Sequence, residues 1–174
     1  MEQEAVIPED IDEKKLENSV QFLSFTLGNE EYGVDILSVQ EIRSWEPVSR
    51  IPNVPSYEKG VVNLRGAIVP IIDLRERFNL GHSEYTNLTV VVVLQATLSG
   101  QSRTMGVVVD SVSDVIDVDK QTIQSAPDFG TKVSTEFING LASVNQRMLM
   151  LLDVGKLLKL DGVNDDIDAH DEEY

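Results

Sequence analysis

The sequence predicts a mainly β protein built from two small barrels of about five strands each, packed together and joined by short helices. Three observations predict it. Aliphatic residues dominate a chain whose aromatic content is only 6%, with one tryptophan, Trp45, and valine is frequent, which favours strands. Alternating or short apolar runs are separated by turn-forming pairs such as Gly28-Asn29 and Ser99-Gly100. The chain also repeats itself. Sliding residues 60–78 onto 140–158 puts Gly60 on Gly140, Asp73 on Asp153, Ile71 on Leu151 and Phe78 on Leu158. A shift of 73 residues does the same upstream, placing Gly33 on Gly106, Val39 on Val112, Glu41 on Asp114 and Ile42 on Val115.

The first copy offers strands at 21–27, 31–35, 60–64 and 67–72, and the second at 89–96, 104–109, 138–144 and 147–152. Each copy closes on a short helical turn, Asp73 to Phe78 and Asp153 to Leu158, whose aspartate can cap exposed amides. The segments 35–43 (DILSVQEIR) and 110–116 (DSVSDVI) read as short amphipathic helices, the first carrying Ile36, Val39, Gln40 and Arg43 on one side. Loops fall at 50–58, 79–87 and 117–135. Units of ~60–70 residues bury too little alone, so the two must share an interface. The first barrel is expected mostly within 20–80 and the second within 88–160; the repeat leaves open whether strands are exchanged.

Of the net charge of −16, residues 1–19 contribute −5 and residues 161–174 contribute −7, leaving −4 for residues 20–160. A near-ordinary domain is thus expected between two mobile acidic tails. Nucleic acid and anionic membrane surfaces are disfavoured, since both need clustered Lys and Arg. Cysteine is absent, which removes disulfides and thiolate chemistry and fits a reducing cytoplasm. The acidic start lacks the basic flank and apolar block of an export signal, and no apolar run approaches the ~20 residues of a membrane span.

Reactive motifs are missing. His82 and His170 have no metal-ligand spacing, and no phosphate loop, dinucleotide fingerprint or nucleophile elbow occurs. Asp161, Asp165 and Glu172 imitate a calcium loop, but Val163 and Asp166 occupy places that need a ligand and a glycine. The carboxylate pairs Asp117 with Asp119 and Asp110 with Asp114 read as strand ends and caps. No catalytic residue, cofactor or metal site is expected.

What remains is interaction surface, and the repeat supplies a control for finding it. In GVVNLRGAIVPIIDL (60–74), Arg65 and Gly66 stand where the second copy has Asn145 and Gln146. The fold closes this hairpin without an arginine. Shared positions are therefore structural, and Arg65 becomes the first candidate for function, since a desolvated, bidentate arginine can anchor an interface.

The stretches FLSFTLGNEEYGVDILSVQEIR, RIPNVPSYEKGVVNLRGAIVPIIDLRERF, GVVVDSVSDVI and RMLMLLDVGKLL resemble the CheW family of bacterial chemotaxis coupling proteins, in order from about residue 20 to 160. The resemblance implies two SH3-like five-stranded barrels in one non-catalytic adaptor. It also implies two partners, the cytoplasmic tips of methyl-accepting chemoreceptors and the regulatory domain of the histidine kinase CheA. The protein would be cytoplasmic and recruited to membrane-associated receptor arrays without inserting itself; an adaptor for a different array, governing surface motility or development, is the alternative. The chain ends soon after the second barrel, so a free-standing adaptor is expected. Partner-contact positions carried over from the family are Ile36, Val39, Glu41, Ile42, Arg65, Val90, Gly106, Val112 and Val115.

Overall fold

The computed structural model describes residues 18–81, 84–125 and 135–159. Residues 1–17 of the expected N-terminal tail, the whole C-terminal tail and both histidines lie outside the described residues, as does the calcium-loop imitation. Ten strands are described: β1 (Ser19–Leu27), β2 (Glu30–Asp35), β3 (Val39–Ser44), β4 (Glu58–Leu64), β5 (Ala67–Asp73), β6 (Val90–Leu98), β7 (Gln101–Val109), β8 (Ser111–Asp119), β9 (Ile138–Val144) and β10 (Arg147–Leu152). Short helices α1 (Leu74–Arg77) and α2 (Val154–Lys159) follow β5 and β10. Asp73 accepts from the amides of Arg75 and Glu76, and Asp153 accepts from that of Lys156, so both aspartates cap the exposed amides of their helices.

The strands form two five-stranded sheets, ordered β8-β1-β2-β10-β9 and β3-β6-β7-β5-β4. Neither sheet is one half of the chain. Each repeat sends its first hairpin into the other repeat's sheet, so β1–β2 lies between β8 and β10, and β6–β7 lies between β3 and β5. The exchange is reciprocal down to register: β2 runs parallel to β10 with Leu151 opposite Gly33, and β5 runs parallel to β7 with Ile71 opposite Gly106. These are the pairs that the two sequence shifts superpose.

A reason for the buried glycines follows. A Cβ on Gly33 would lie 2.9 Å from Leu149 Cδ2, and one on Gly106 would lie 2.5 Å from Ile71 Cδ1. At the parallel joints, side chains of the neighbouring strands lie against the glycine backbone. Gly60 is more constrained, with φ of +146° and a Cβ position 2.1 Å from the Ser49 carbonyl oxygen, at the bridge that pairs Ser49 with Val61.

The core divides in the same way. Phe22, Val118, Ala142, Leu149 and Leu151 fill one barrel, and Val69, Ile71, Val91, Val93 and Val108 fill the other. A larger core between them takes Leu23, Phe25, Tyr32 and Val34 from one sheet and Ile72, Val92, Leu94 and Val107 from the other. The Arg77 guanidinium lies 5.0 Å from the Tyr57 ring and 4.9 Å from the Phe137 ring, two aromatics at matched places in the repeat.

Two expectations are corrected. Residues 35–43 are not a helix: Ile36–Ser38 make one 3-10 turn capped by Asp35, and β3 begins at Val39. Residues 110–116 are not a helix either, because β8 runs through them to Asp119, which also shortens the loop expected at 117–135. Val39, Ile42, Val112, Val115 and Val118 are β-branched, and β6 and β1 offer open edges whose backbone partners outweigh a weak helical pattern. Among the described residues no helix is long and apolar enough to cross a membrane.

Candidate functional site

The candidate site starts at the β4–β5 turn. Both of its central residues have positive φ, Arg65 at +53° and Gly66 at +89°, as a tight hairpin with right-handed strand twist demands. The turn is fastened by Asn63, whose Oδ1 accepts from the Gly66 amide at 2.9 Å. In the β9–β10 turn the same places hold Asn145 at +51° and Gln146 at +67°. Asn tolerates this backbone region well; an arginine there carries a penalty of roughly 1 kcal/mol. Arg65 is thus a costlier residue than its counterpart at the same geometry.

The Arg65 side chain is 77% exposed and donates from Nη2 to Glu41 Oε2 at 3.1 Å. Glu41 lies on β3, at the opposite edge of the sheet from β4, so this pair reaches from the β4–β5 turn to the far edge strand. An ion pair this exposed stabilises by only ~0–1 kcal/mol. One contact leaves most of the guanidinium's donors facing solvent.

Beside Glu41 the edge strand is irregular. Val39 to Ile42 spans three residue steps opposite the two from Leu94 to Val92, leaving Gln40 in a bulge. The second copy has the same bulge, with Val112 to Val115 opposite Phe25 to Leu23. Bulges on edge strands end pairing with further strands and turn side chains outwards. The turned-out residues here are Ile42, 45% exposed, and Val115, 50% exposed. They occupy matched places on the edges of different sheets.

The other expected positions separate into supports and surface. Ile36, Val39, Val90 and Val112 are half-buried against the shared core. Gly106, carried over as a contact position, is buried in β7 against Ile71 and Val91 at the joint between β5 and β7. Arg65 and Glu41 meet directly, Ile42 adjoins them along β3, and Val112 and Val115 stand on the other sheet.

Sequence reasoning missed Leu37 and Ile68. Leu37 is 90% exposed on the 3-10 turn, between half-buried Ile36 and Val39, and a helical reading of 35–43 gave it no place. Ile68 is exposed three residues beyond Arg65 on the same hairpin, as is Met148 at its matched place. Strict alternation along β5 puts Val69 and Ile71 inside the barrel and Ile68 outside, a signal present in the sequence but obscured by its unbroken apolar run. Among the described residues no three His, Cys, Asp or Glu side chains are grouped to hold a metal.

Tyr85 fastens the far end of the same hairpin. Its hydroxyl donates to Asp73 Oδ2 at 2.5 Å, and its ring meets Trp45 edge-on with centroids 4.6 Å apart. Burial, with the hydrogen bond to the Asp73 carboxylate adding to it, pushes the phenol above the ordinary tyrosine range. The loop before β6 is thereby tied to the cap of α1.

Comparison with known proteins agrees with this architecture. The CheW-like domain family model matches residues 21–161. The chain is 53% identical over 138 residues to the chemotaxis protein CheW of Klebsiella aerogenes, covering 79% of this chain and 81% of that protein. It is 31% identical over 144 residues to the chemotaxis protein CheW of Bacillus subtilis, covering 83% of this chain and 90% of that one. Among solved structures, the scaffolding protein TtCheW from Thermoanaerobacter tengcongensis superposes with a TM-score of 0.71 at 30% identity, covering 79% of this chain and 86% of that one. With its paired barrels, its repeated bulges and a match along nearly the whole described chain, this protein belongs to the CheW family of chemotaxis adaptors.

Proposed function

We propose that the chain works in the cytoplasm as a non-catalytic bridge between the cytoplasmic tips of chemoreceptors and the regulatory domain of the histidine kinase CheA. The observation that carries this reading is Arg65: an arginine held at positive φ, 77% exposed, at a turn whose twin closes with Asn-Gln. The backbone penalty and the weak surface pair give folding no reason to keep it, whereas a desolvated guanidinium contact can carry much of an interface's affinity.

Ile42 and Leu37 add apolar area beside the Glu41–Arg65 pair, and Val115 adds it on the other sheet. Ile36, Val39, Val90 and Val112 set the backbone beneath these contacts. Two edge strands on different sheets allow one molecule to touch two proteins at once, which is what an adaptor must do. Binding, and no bond made or broken, is the whole of the activity.

The test is calorimetric titration of the Arg65→Ala protein against a receptor-tip fragment and the kinase regulatory domain. At least a ten-fold loss of affinity for one of them is expected. Unchanged binding to both removes Arg65 from the interface.

A further inference from the structure

The chain crosses between the two sheets at two matched junctions, from β2 to β3 and from β7 to β8, and the two are fastened differently. At the second, Asp110 Oδ2 accepts from the Gly28 amide at 2.8 Å and from Arg75 Nη1 at 2.9 Å, while the Asp110 amide donates to the Thr26 carbonyl at 3.1 Å. These bonds reach 82 and 35 residues along the chain from the Asp110 carboxylate, and they tie the β1–β2 hairpin tip, α1 and the junction into one knot.

The shifts that superpose the repeats put Leu37 in the place of Asp110 and Gly155 in the place of Arg75. Neither can reproduce the knot. Leu37 has no polar atom in its side chain and is 90% exposed, and Gly155 has no side chain, its Cβ position lying 3.6 Å from Leu98 Cδ2. The first junction is held by short-range bonds instead, Leu37 N to Asp35 Oδ1 and Val39 N to the Ile36 carbonyl. Bonds within one turn survive when that turn moves as a unit; bonds across three elements do not. The junction leads into β3, an edge strand whose ladder to β6 is already interrupted by the bulge at Gln40.

We propose that the β2–β3 junction, Asp35–Val39, is a hinge that lets β3 adjust to a partner, and that the Asp110 knot is the fixed counterpart which keeps the rest of the two-barrel body rigid. The partner half of this statement rests on the adaptor reading above; the hinge half does not. Hinges are a few residues at element ends that absorb backbone rotation, and Ile36 and Val39, resting half-buried on the edge of the shared core, bound the moving segment. Duplication supplied two equal crossovers, and one polar side chain makes one of them stiff.

Hydrogen–deuterium exchange on the whole chain tests the proposal, since local opening is read directly as loss of amide protection. In the free protein, amides of 35–39 are expected to be at least ten-fold less protected than those of 108–112. Asp110→Asn should lower protection at Gly28 and 108–112 and leave 35–39 unchanged. Adding the kinase regulatory domain or the receptor-tip fragment should slow exchange at 35–39. Equal protection of the two junctions in the unmodified protein overturns the hinge, whether or not the Asp110 variant folds. If that contrast holds while neither partner alters 35–39, the hinge stands and its use in partner binding is overturned.

Discussion

The hairpins β4–β5 and β9–β10 are one piece of architecture built twice, and the pair separates what the fold requires from what it does not. Both carry a glycine at the third place of their first strand with a backbone bridge beside it, Ser49 with Val61 and Gln124 with Leu141. Both end in an aspartate that caps a helix and whose amide donates to a matched carbonyl, that of Tyr57 or Phe137. Both turn through two residues of positive φ. Within so much likeness, the places where side chains differ have no structural explanation in common, and Arg65 against Asn145 is the sharpest of them. A duplicated domain carries its own reference state.

The largest effect expected is at a shared position. Gly60→Ala puts a Cβ 2.1 Å from the Ser49 carbonyl oxygen at a φ of +146°, and the hairpin must move. We expect a loss of ~3–5 kcal/mol in urea unfolding, or failure to fold. Gly140→Ala, whose Cβ would stand 2.7 Å from Ile123 Cγ2 and 3.0 Å from the Gln124 carbonyl oxygen, should cost less because the nearest atom is a side-chain methyl. Equal costs would mean that the two bridges are equally rigid.

The caps should separate next. Asp73 is buried and accepts from two amides and from Tyr85, whereas Asp153 is half-buried. Asp73→Ala is expected to cost ~2–3 kcal/mol, since it removes a cap and the partner of the half-buried Tyr85 hydroxyl, and Asp153→Ala only ~1 kcal/mol, measured by denaturant midpoint at constant slope. A reversed order would break the comparison.

Tyr85→Phe should cost ~1 kcal/mol near neutral pH and flatten the alkaline behaviour. The folded phenol is held above tyrosine's ordinary pKa of 10.0, so above that pH the unfolded chain loses a proton that the folded chain keeps. Stability therefore falls as pH rises past about 10. The Phe variant should show a shallower fall between pH 9 and 11, with the remainder due to Tyr32, which is shifted in the same direction by burial and by Glu30. The smallest change is Asn145→Arg, which introduces the αL penalty in the second hairpin: a loss of roughly 1 kcal/mol at most is expected, with partner binding unchanged.

Much of this fold was legible in the chain. The strand runs, the turn pairs Gly28-Asn29 and Ser99-Gly100, and the capping aspartates all announce themselves through local chemistry. The reciprocal exchange of first hairpins was not legible, because both sheets present the same apolar pattern to an incoming strand and only three-dimensional register selects between them. Residues 35–43 and 110–116 misled for a related reason: a bulge adds one residue to a strand, breaks its period of two, and makes Ile36, Val39 and Arg43 imitate a helix side. At the site, comparison of the copies singled out Arg65, which the structure places exposed at the turn. It could not find Leu37, whose exposure depends on the way the crossover turns; Gly106 came from the family resemblance and not from the copies, which share it with Gly33.

The central claim is that Arg65 serves partners and not the fold, and its most direct test exchanges the turns. The double variant Arg65→Asn with Gly66→Gln gives the first hairpin the turn of the second. The account predicts unfolding free energy within about 1 kcal/mol of the parent, since Asn relieves at Arg65 what Gln costs at Gly66, together with at least ten-fold weaker binding to the receptor-tip fragment or the kinase regulatory domain. Parental affinity for both partners, or a large loss of stability, would contradict it.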